Sequence, residues 1–327
     1  MSDFGDGLGR DSDSSDAITV KRLIAPPTRL GLPKPMMGKA SPALARLNEM
    51  VISALGGVQR DWLRGLHHER TIGDGDRTLA ERMAERVDHL QLRRQINIEG
   101  ILQRALTNLS ETVDEGAPDP DWMARFCEAA SDTSDPAFVR LWSRMLVMEV
   151  KRAGAVPPIA ISRLPGLSRE GLQLFRRFAA FTINNFVVRL GQEFFDTKDV
   201  SADQILLLEE YGLIRTNKDL SRAFQSQITS KFSTNLLYAD TALRITHEDP
   251  TRTLSLPCYR LTEFGATLAR ALFAEGETRA DTDYIVELVR YVQRQGFQTA
   301  QAEILERVDE NIVTKHSSFC DLAVLRR

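Results

Sequence analysis

The stretch Val200–Thr216 reads VSADQILLLEEYGLIRT, and the stretch Leu256–Leu272 reads LPCYRLTEFGATLARAL. In the first stretch, Ser201 occupies the position of a helix N-cap and Gly212 occupies the position where a helix ends. In the second stretch, Thr262 caps a helix that follows a short strand. Together the two stretches predict a small unit of short helices and strands.

A candidate β-hairpin precedes the second stretch and overlaps its start. The segment ALRITHEDPTRTLSLPCYRL, residues 242–261, predicts two strands around the turn Glu248-Asp249-Pro250. A hairpin at this place corresponds to the wing of a winged-helix domain. We therefore predict a winged-helix-like domain over residues 164–275, a module that normally binds nucleic acid or another protein.

The rest of the chain predicts further helices. Residues 1–40 are rich in Ser, Asp, Gly and Pro and predict a disordered tail. Residues 41–160 carry helical apolar periodicity, and within them Asp119-Pro120 and Asp135-Pro136 each predict the start of a helix. Residues 276–327 predict a C-terminal helical segment. The predicted fold class is mainly α: a helical region followed by a winged-helix-like domain with a small β wing.

One long helix favours a protein partner. Thr78 and Glu81 have the spacing of a capping box at its start. An apolar stripe then extends toward Leu109 at helical spacing. Because its own domain would not cover so long a stripe, we expect a homo-oligomer. The stripe residues proposed for protein contact are Leu79, Met83, Val87 and Leu90.

Composition excludes several classes of function. The chain of 327 residues has a net charge of −3, which provides no overall attraction to nucleic acid or lipid. Its three cysteines are scattered, which argues against a disulfide framework and a zinc finger and suits the cytoplasm. No apolar run is long enough to span a membrane. We expect no cofactor and no metal.

Three segments resemble a known family. They are RRQINIEGILQRAL (Arg93–Leu106), DPDWMARFCEAASDTSDPAFVRLWSRMLVMEV (Asp119–Val150) and LPGLSREGLQLFRRFAAF (Leu164–Phe181). The chain resembles, from about Arg93 to Arg270, uncharacterised bacterial proteins grouped only as a domain of unknown function. The resemblance implies a helical region followed by a winged-helix-like region, and some relatives are associated with phage exclusion. This chain departs from the family pattern at Val147-Met148, where relatives have a small residue and a glycine before the glutamate.

Glu149 is the most unusual carboxylate of the sequence. It lies on the same predicted helix face as Trp142 and Met145. A carboxylate on an apolar stripe is either buried with a partner or part of a site. The structural interpretation is that Glu149 caps a neighbouring helix or forms a salt bridge to it, for example through Arg93 or Arg94. The alternative makes it the centre of an unrecognised enzyme site.

The charge of the helix after Ser201 favours a protein partner over a nucleic acid. No Lys or Arg occurs between Asp199 and Ile214, and Asp203 and Glu210 would repel phosphate. The favoured function is a non-enzymatic interaction protein of a bacterial regulatory or phage-defence system, with Asp203 and Glu210 as further residues of protein contact. The alternative is a DNA-binding regulator that contacts the duplex backbone through a basic insert and the wing. The residues proposed for that contact are Lys218, Arg222, Lys231 and Arg252.

Overall fold

The computed structural model describes residues 78–109, 119–226, 228–274, 276–309 and 312–322. The chain divides into two compact units, Met1–Leu90 and Gln91–Arg327. The tail predicted over residues 1–40 and the start of the predicted helical region, residues 41–77, lie outside the described residues. Most of the described residues therefore belong to the second unit.

Helices fill the first half of the described chain and recur near its end. Their bounds are α1 Leu79–Thr107, α2 Pro120–Ala130, α3 Pro136–Lys151, α4 Pro158–Arg163, α5 Arg169–Ala179, α6 Gln192–Asp196, α7 Ala202–Glu210, α8 Glu263–Ala274 and α9 Thr282–Arg294.

Local sequence explains where these helices begin. Thr78 and Glu81 form the predicted capping box, with the Thr78 backbone N–H donating to the Glu81 carboxylate at 2.7 Å. Asp119 caps α2 and Asp135 caps α3, and each is followed by a proline at the first helical position. These predicted helix starts are confirmed.

The described strands form two antiparallel sheets. Their bounds are β1 Phe186–Val188, β2 Ile214–Arg215, β3 Ser221–Phe224, β4 Phe232–Tyr238, β5 Thr241–His247, β6 Leu254–Leu261, β7 Gln298–Asp309, β8 Ile312–His316 and β9 Cys320–Asp321. In the first sheet β6 pairs with β1, β2 and β3. In the second, β5 lies between β4 and β7, and β7 also pairs with β8 and β9.

The predicted mainly α class with a small β wing is wrong. β5 and β6 flank the turn at Glu248-Asp249-Pro250, yet they pair with different strands and belong to different sheets. Alternation of apolar and polar residues predicts a strand but does not specify its partner. The two strands therefore form no wing, and the protein has an α/β fold with two sheets.

The predicted C-terminal helical segment, residues 276–327, is also wrong beyond Gly296. α9 ends at Arg294, and the chain continues as β7. Thr299, Ala300 and Ala302 of β7 are buried while Gln301 is exposed. The sequence did not predict this strand because small and polar residues give a weak apolar pattern, which indicates neither the helical period nor the two-residue period of a strand.

Aromatic and aliphatic side chains from helices and sheets share one core in the second unit. Trp142 and Phe126 pack edge to face with ring centroids 5.2 Å apart, and both are buried. The buried Tyr284 hydroxyl accepts the Val188 backbone N–H at 2.7 Å, so α9 is fixed to β1. None of the described helices has the length and hydropathy that crossing a lipid bilayer requires.

Gly265 sets how closely helix and sheet approach. A Cβ at Gly265, on α8, would overlap the backbone carbonyl oxygen of Leu213, which directly precedes β2. Thr262 caps α8 by accepting the Gly265 N–H at 3.0 Å, as predicted, and donates to the Gly212 carbonyl at 2.6 Å. The start of α8 is thereby held against the turn that ends α7.

Candidate interaction surface on helix α7

Helix α7 has one buried side and one exposed side. Ser201 and Gln204 form a capping box at its start, which confirms the predicted N-cap. Ile205 is 3% exposed and Leu208 is fully buried, so they anchor the helix in the core. Leu206 and Leu207 remain 53% and 37% exposed.

Two carboxylates flank these exposed leucines. Asp203 and Glu210 are both exposed, at the first and last turns of α7. Asp203, Leu206, Leu207 and Glu210 follow the spacing i, i+3, i+4, i+7, which places them on one side of a helix. We refer to these four residues as the α7 face. It is an apolar surface with negative charge at both ends.

The α7 face is held in a fixed orientation. The Glu209 carboxylate accepts the Thr216 backbone N–H at 3.0 Å and also accepts the Thr216 hydroxyl. These hydrogen bonds lower the pKa of Glu209 below its usual range, since they favour the charged form. The Tyr211 hydroxyl lies 3.0 Å from the Ser168 hydroxyl, which caps α5. Each of these contacts connects the end of α7 to a neighbouring element.

The sequence predicted the carboxylates of this face but missed its leucines. Leu206 and Leu207 belong to the run Ile205–Leu208, in which every residue is apolar. Such a run does not show by itself which residues face the core. Extending the helical spacing from Asp203 would have identified both leucines.

The four basic residues proposed for DNA backbone contact are all exposed but belong to different parts of the fold. Lys218 and Arg222 lie just before and within β3, on the first sheet. Lys231 directly precedes β4, on the second sheet. Arg252 follows β5 and donates to the Gln295 carbonyl at 3.2 Å. The insert residues Lys218, Arg222 and Lys231 therefore belong to two sheets, and Arg252 has no wing to lie on, because β5 and β6 form none.

The α1 residues proposed for protein contact differ in their exposure to solvent. Met83 and Val87 are each 45% exposed, and Leu90 is half-buried. The side chain of Leu79 lies outside the described residues, although α1 begins there. Further along α1, Ile101 and Ala105 are buried in the core of the second unit.

Glu149 is buried, with 2% of its surface exposed. Its two carboxylate oxygens accept the backbone N–H groups of Gly154 and Val156 at 2.7 and 2.8 Å. The suggested partners Arg93 and Arg94 instead bind Asp132. Glu149 therefore stabilises the turn that follows α3, which is a structural role. Within the described ranges, no group of three or more potential metal ligands occurs.

The fold and the surface together describe an α/β protein with two antiparallel sheets and an exposed acidic and apolar helix. Residues 81–190 match the model of a family described as a protein of unknown function, DUF2806. This match confirms the resemblance to a domain of unknown function. No curated protein and no solved structure matches the chain. The matched segment ends before α7, so the α7 face lies outside it.

Proposed function

We propose that this chain is a non-enzymatic interaction protein that binds another protein through the α7 face. The observation that carries the proposal is the pair Leu206 and Leu207, which stay exposed on a helix whose opposite side is buried. Exposed apolar side chains rimmed by polar ones are typical of protein-interaction sites. The rigid mounting of α7 reduces the entropic cost of binding.

Charge indicates the chemistry of the partner. Asp203 and Glu210 would attract lysine or arginine side chains at the two ends of an apolar contact. The same carboxylates would repel the phosphates of a nucleic acid groove. The partner we expect is therefore a protein segment with an apolar centre and basic ends.

Phage defence rests on the resemblance alone, whereas the cytoplasmic location rests on the scattered cysteines and the homo-oligomer on the apolar stripe of α1. All three stay predictions, as does a regulatory role. Light scattering tests the oligomer directly, since a monomer at micromolar concentration would contradict it. The alternative function is contact with the DNA backbone. It is supported by the solvent exposure of the four basic residues proposed for it, Lys218, Arg222, Lys231 and Arg252.

The test compares matched variants of the tagged full-length protein expressed in its native cells. Leu207→Asp disrupts the α7 face, whereas Val286→Asp changes an equally exposed valine on α9, since the two residues are 37% and 38% exposed. A third variant combines Asp203→Lys with Glu210→Lys. Quantitative mass spectrometry then identifies the proteins recovered with each variant.

We expect one or a few basic proteins to accompany the wild type and Val286→Asp but to be lost from both α7 variants. Raising the salt concentration should release them, because the flanking contacts are ionic. Recovery that is equal for all four proteins would overturn the proposal. Recovery of nuclease-sensitive material that disappears after Lys218, Arg222 and Lys231→Ala would favour the DNA alternative instead.

A further inference from the structure

A cavity of about 380 Å³ opens where α4 ends, β2 and β6 pair, and α8 begins. Cavities that hold small molecules in proteins measure roughly 300–1,000 Å³. The lining of this one includes arginines from three different elements, namely Arg163, Arg215 and Arg260. We refer to it as the arginine cavity.

Arg215 and Arg260 face each other across two strands. They are direct partners in the antiparallel register of β2 and β6, so their side chains leave the sheet on the same side. Both are exposed, and no ion pair involves either of them in the part of the chain that the structure describes. Like charges at directly opposite positions destabilise a sheet. An anion between them would reverse that effect.

Arg163 brings a third positive charge to the same place. Its Nη1 lies 3.5 Å from the Gly212 carbonyl oxygen. Gly212 has a φ of +69°, and a Cβ there would overlap the Arg163 guanidinium. A glycine at this position therefore ends α7 and also leaves room for Arg163 above the turn.

The remaining lining adds one negative charge and several neutral groups. Glu263, at the first position of α8, is the carboxylate of the lining, so three positive charges face one negative charge. Asn185 contributes an amide, and Ile159, 41% exposed, contributes an apolar wall. The positive end of the α8 dipole adds a smaller attraction for an anion.

We propose that the arginine cavity binds the phosphate group of a small phosphorylated molecule. Guanidinium groups bind phosphate through paired, charge-assisted hydrogen bonds, and two or three of them can surround one phosphate. The apolar wall at Ile159 suits the uncharged part of a phosphate ester. This binding is independent of the proposed contact through the α7 face.

The placement of the arginines favours a single phosphate over a nucleic acid backbone. A backbone presents phosphates at regular intervals, which basic side chains along a line would match. Here three arginines line a single cavity of small-molecule size. The four basic residues proposed for DNA contact, Lys218, Arg222, Lys231 and Arg252, are not part of its lining.

The experiment is calorimetric titration of the full-length protein, at low ionic strength, with inorganic phosphate, adenosine monophosphate and adenosine. Binding of the first two and a much weaker signal for adenosine are expected. Tighter binding of the monophosphate would identify a phosphate ester as the ligand class, whereas equal binding would identify free phosphate. Arg215→Gln and Arg260→Gln should each weaken binding about tenfold or more, because each removes charge-assisted hydrogen bonds.

The matched control is Arg222→Gln, which removes an exposed arginine of the same sheet outside the cavity. It should bind like the wild type. A second measurement needs no variant: phosphate should raise the unfolding temperature of the wild type, since a ligand of the folded state stabilises it. No binding and no rise at millimolar phosphate would overturn the proposal. So would duplex DNA binding that Arg222→Gln and Arg215→Gln weaken equally.

Discussion

The α7 face and the arginine cavity lie close together in the chain but have opposite charge. The α7 face ends at Glu210, and Arg215 of the arginine cavity comes after the turn at Gly212. We propose that the α7 face binds basic and apolar groups and that the arginine cavity binds an anion. A net charge of −3 averages over both, so it predicts neither partner. In these proposals the partner is decided by the local charge, which differs between the two sides of the turn at Gly212.

The two surfaces share one structural support, the contact of α8 with the segment before β2. Gly265 allows the α8 backbone to approach the Leu213 carbonyl, and Thr262 hydrogen-bonds to Gly212 at the end of α7. Changes at this contact should therefore affect both surfaces, whereas changes elsewhere should separate them.

The largest effect is expected from Gly265→Ala. The new Cβ would overlap a backbone oxygen, which cannot move aside as a flexible side chain would. Overpacking of this kind costs about 3 kcal/mol or more of the free energy of unfolding. Chemical denaturation measures it, with Gly100→Ala as the control. Gly100 lies on α1 with no neighbouring atom in reach of a Cβ, so alanine there should stabilise the helix slightly. A Gly265→Ala variant as stable as the wild type would show that α8 does not determine both surfaces.

Glu149→Gln should cause the next largest loss of stability, and it should change binding at neither surface. The glutamine can accept through one oxygen only, and its amide group would face a backbone N–H donor at Gly154 or Val156. Loss of a charged, buried hydrogen bond predicts a cost of about 2 kcal/mol in the free energy of unfolding. Phosphate affinity and partner recovery should equal those of the wild type under native conditions. A stable variant that had lost a measurable activity would revive the enzyme hypothesis.

Local signals in the sequence predicted where several helices begin and where one of them ends. The sequence predicts Ser201 as a helix cap, Asp119-Pro120 and Asp135-Pro136 as helix starts, and Gly212 as the end of α7. Each of these predictions depends on a residue and its neighbours within one turn. The side chain of a cap bonds to the backbone two or three residues away, so no distant contact is needed to recognise it.

Strand partners and the arginine cavity could not be predicted in this way. β5 and β6 look like a hairpin, but the segment Gln298–Asp309, far along the chain, pairs with β5 instead. Arg163, Arg215 and Arg260 are likewise separated in sequence. The register of β2 with β6 brings Arg215 and Arg260 together, and the packing of Arg163 against the turn at Gly212 adds the third. Non-local pairing leaves no pattern in a single sequence, since alternation is the same for any partner.

Glu209→Gln should weaken the mounting of the α7 face by a smaller amount. The hydrogen bonds from Thr216 lower the pKa of Glu209 below its ordinary value of 4.5. A depressed folded-state pKa contributes stability above the unfolded pKa, and that stability is lost as pH falls through the folded value. We expect the wild type to exceed the variant by about 1 kcal/mol near neutral pH. The difference should shrink as pH falls below 4.5 and disappear once the pH is below the lower folded-state pKa.

The control for this pH series is Glu210→Gln, an exposed neighbour on the same helix. It removes the same charge without the bonds to Thr216, so the free energy of unfolding should change by less than about 0.5 kcal/mol. A pH-independent loss in Glu209→Gln would show that packing, not the charged hydrogen bonds, holds the end of α7.

The smallest effect should be a gain in stability from Arg215→Thr. Threonine suits a strand, and its introduction removes the like-charge pair with Arg260. Without phosphate, the variant should be more stable than the wild type by about 0.5 kcal/mol. With saturating phosphate the order should reverse, because only the wild type retains the full set of ligands. Arg222→Thr, opposite the uncharged Leu256, should show neither the gain nor the reversal. A loss of stability in Arg215→Thr without phosphate would mean that the attraction between Arg215 and Glu209 outweighs the repulsion between the two arginines. The arginine cavity would then have no need of an anion.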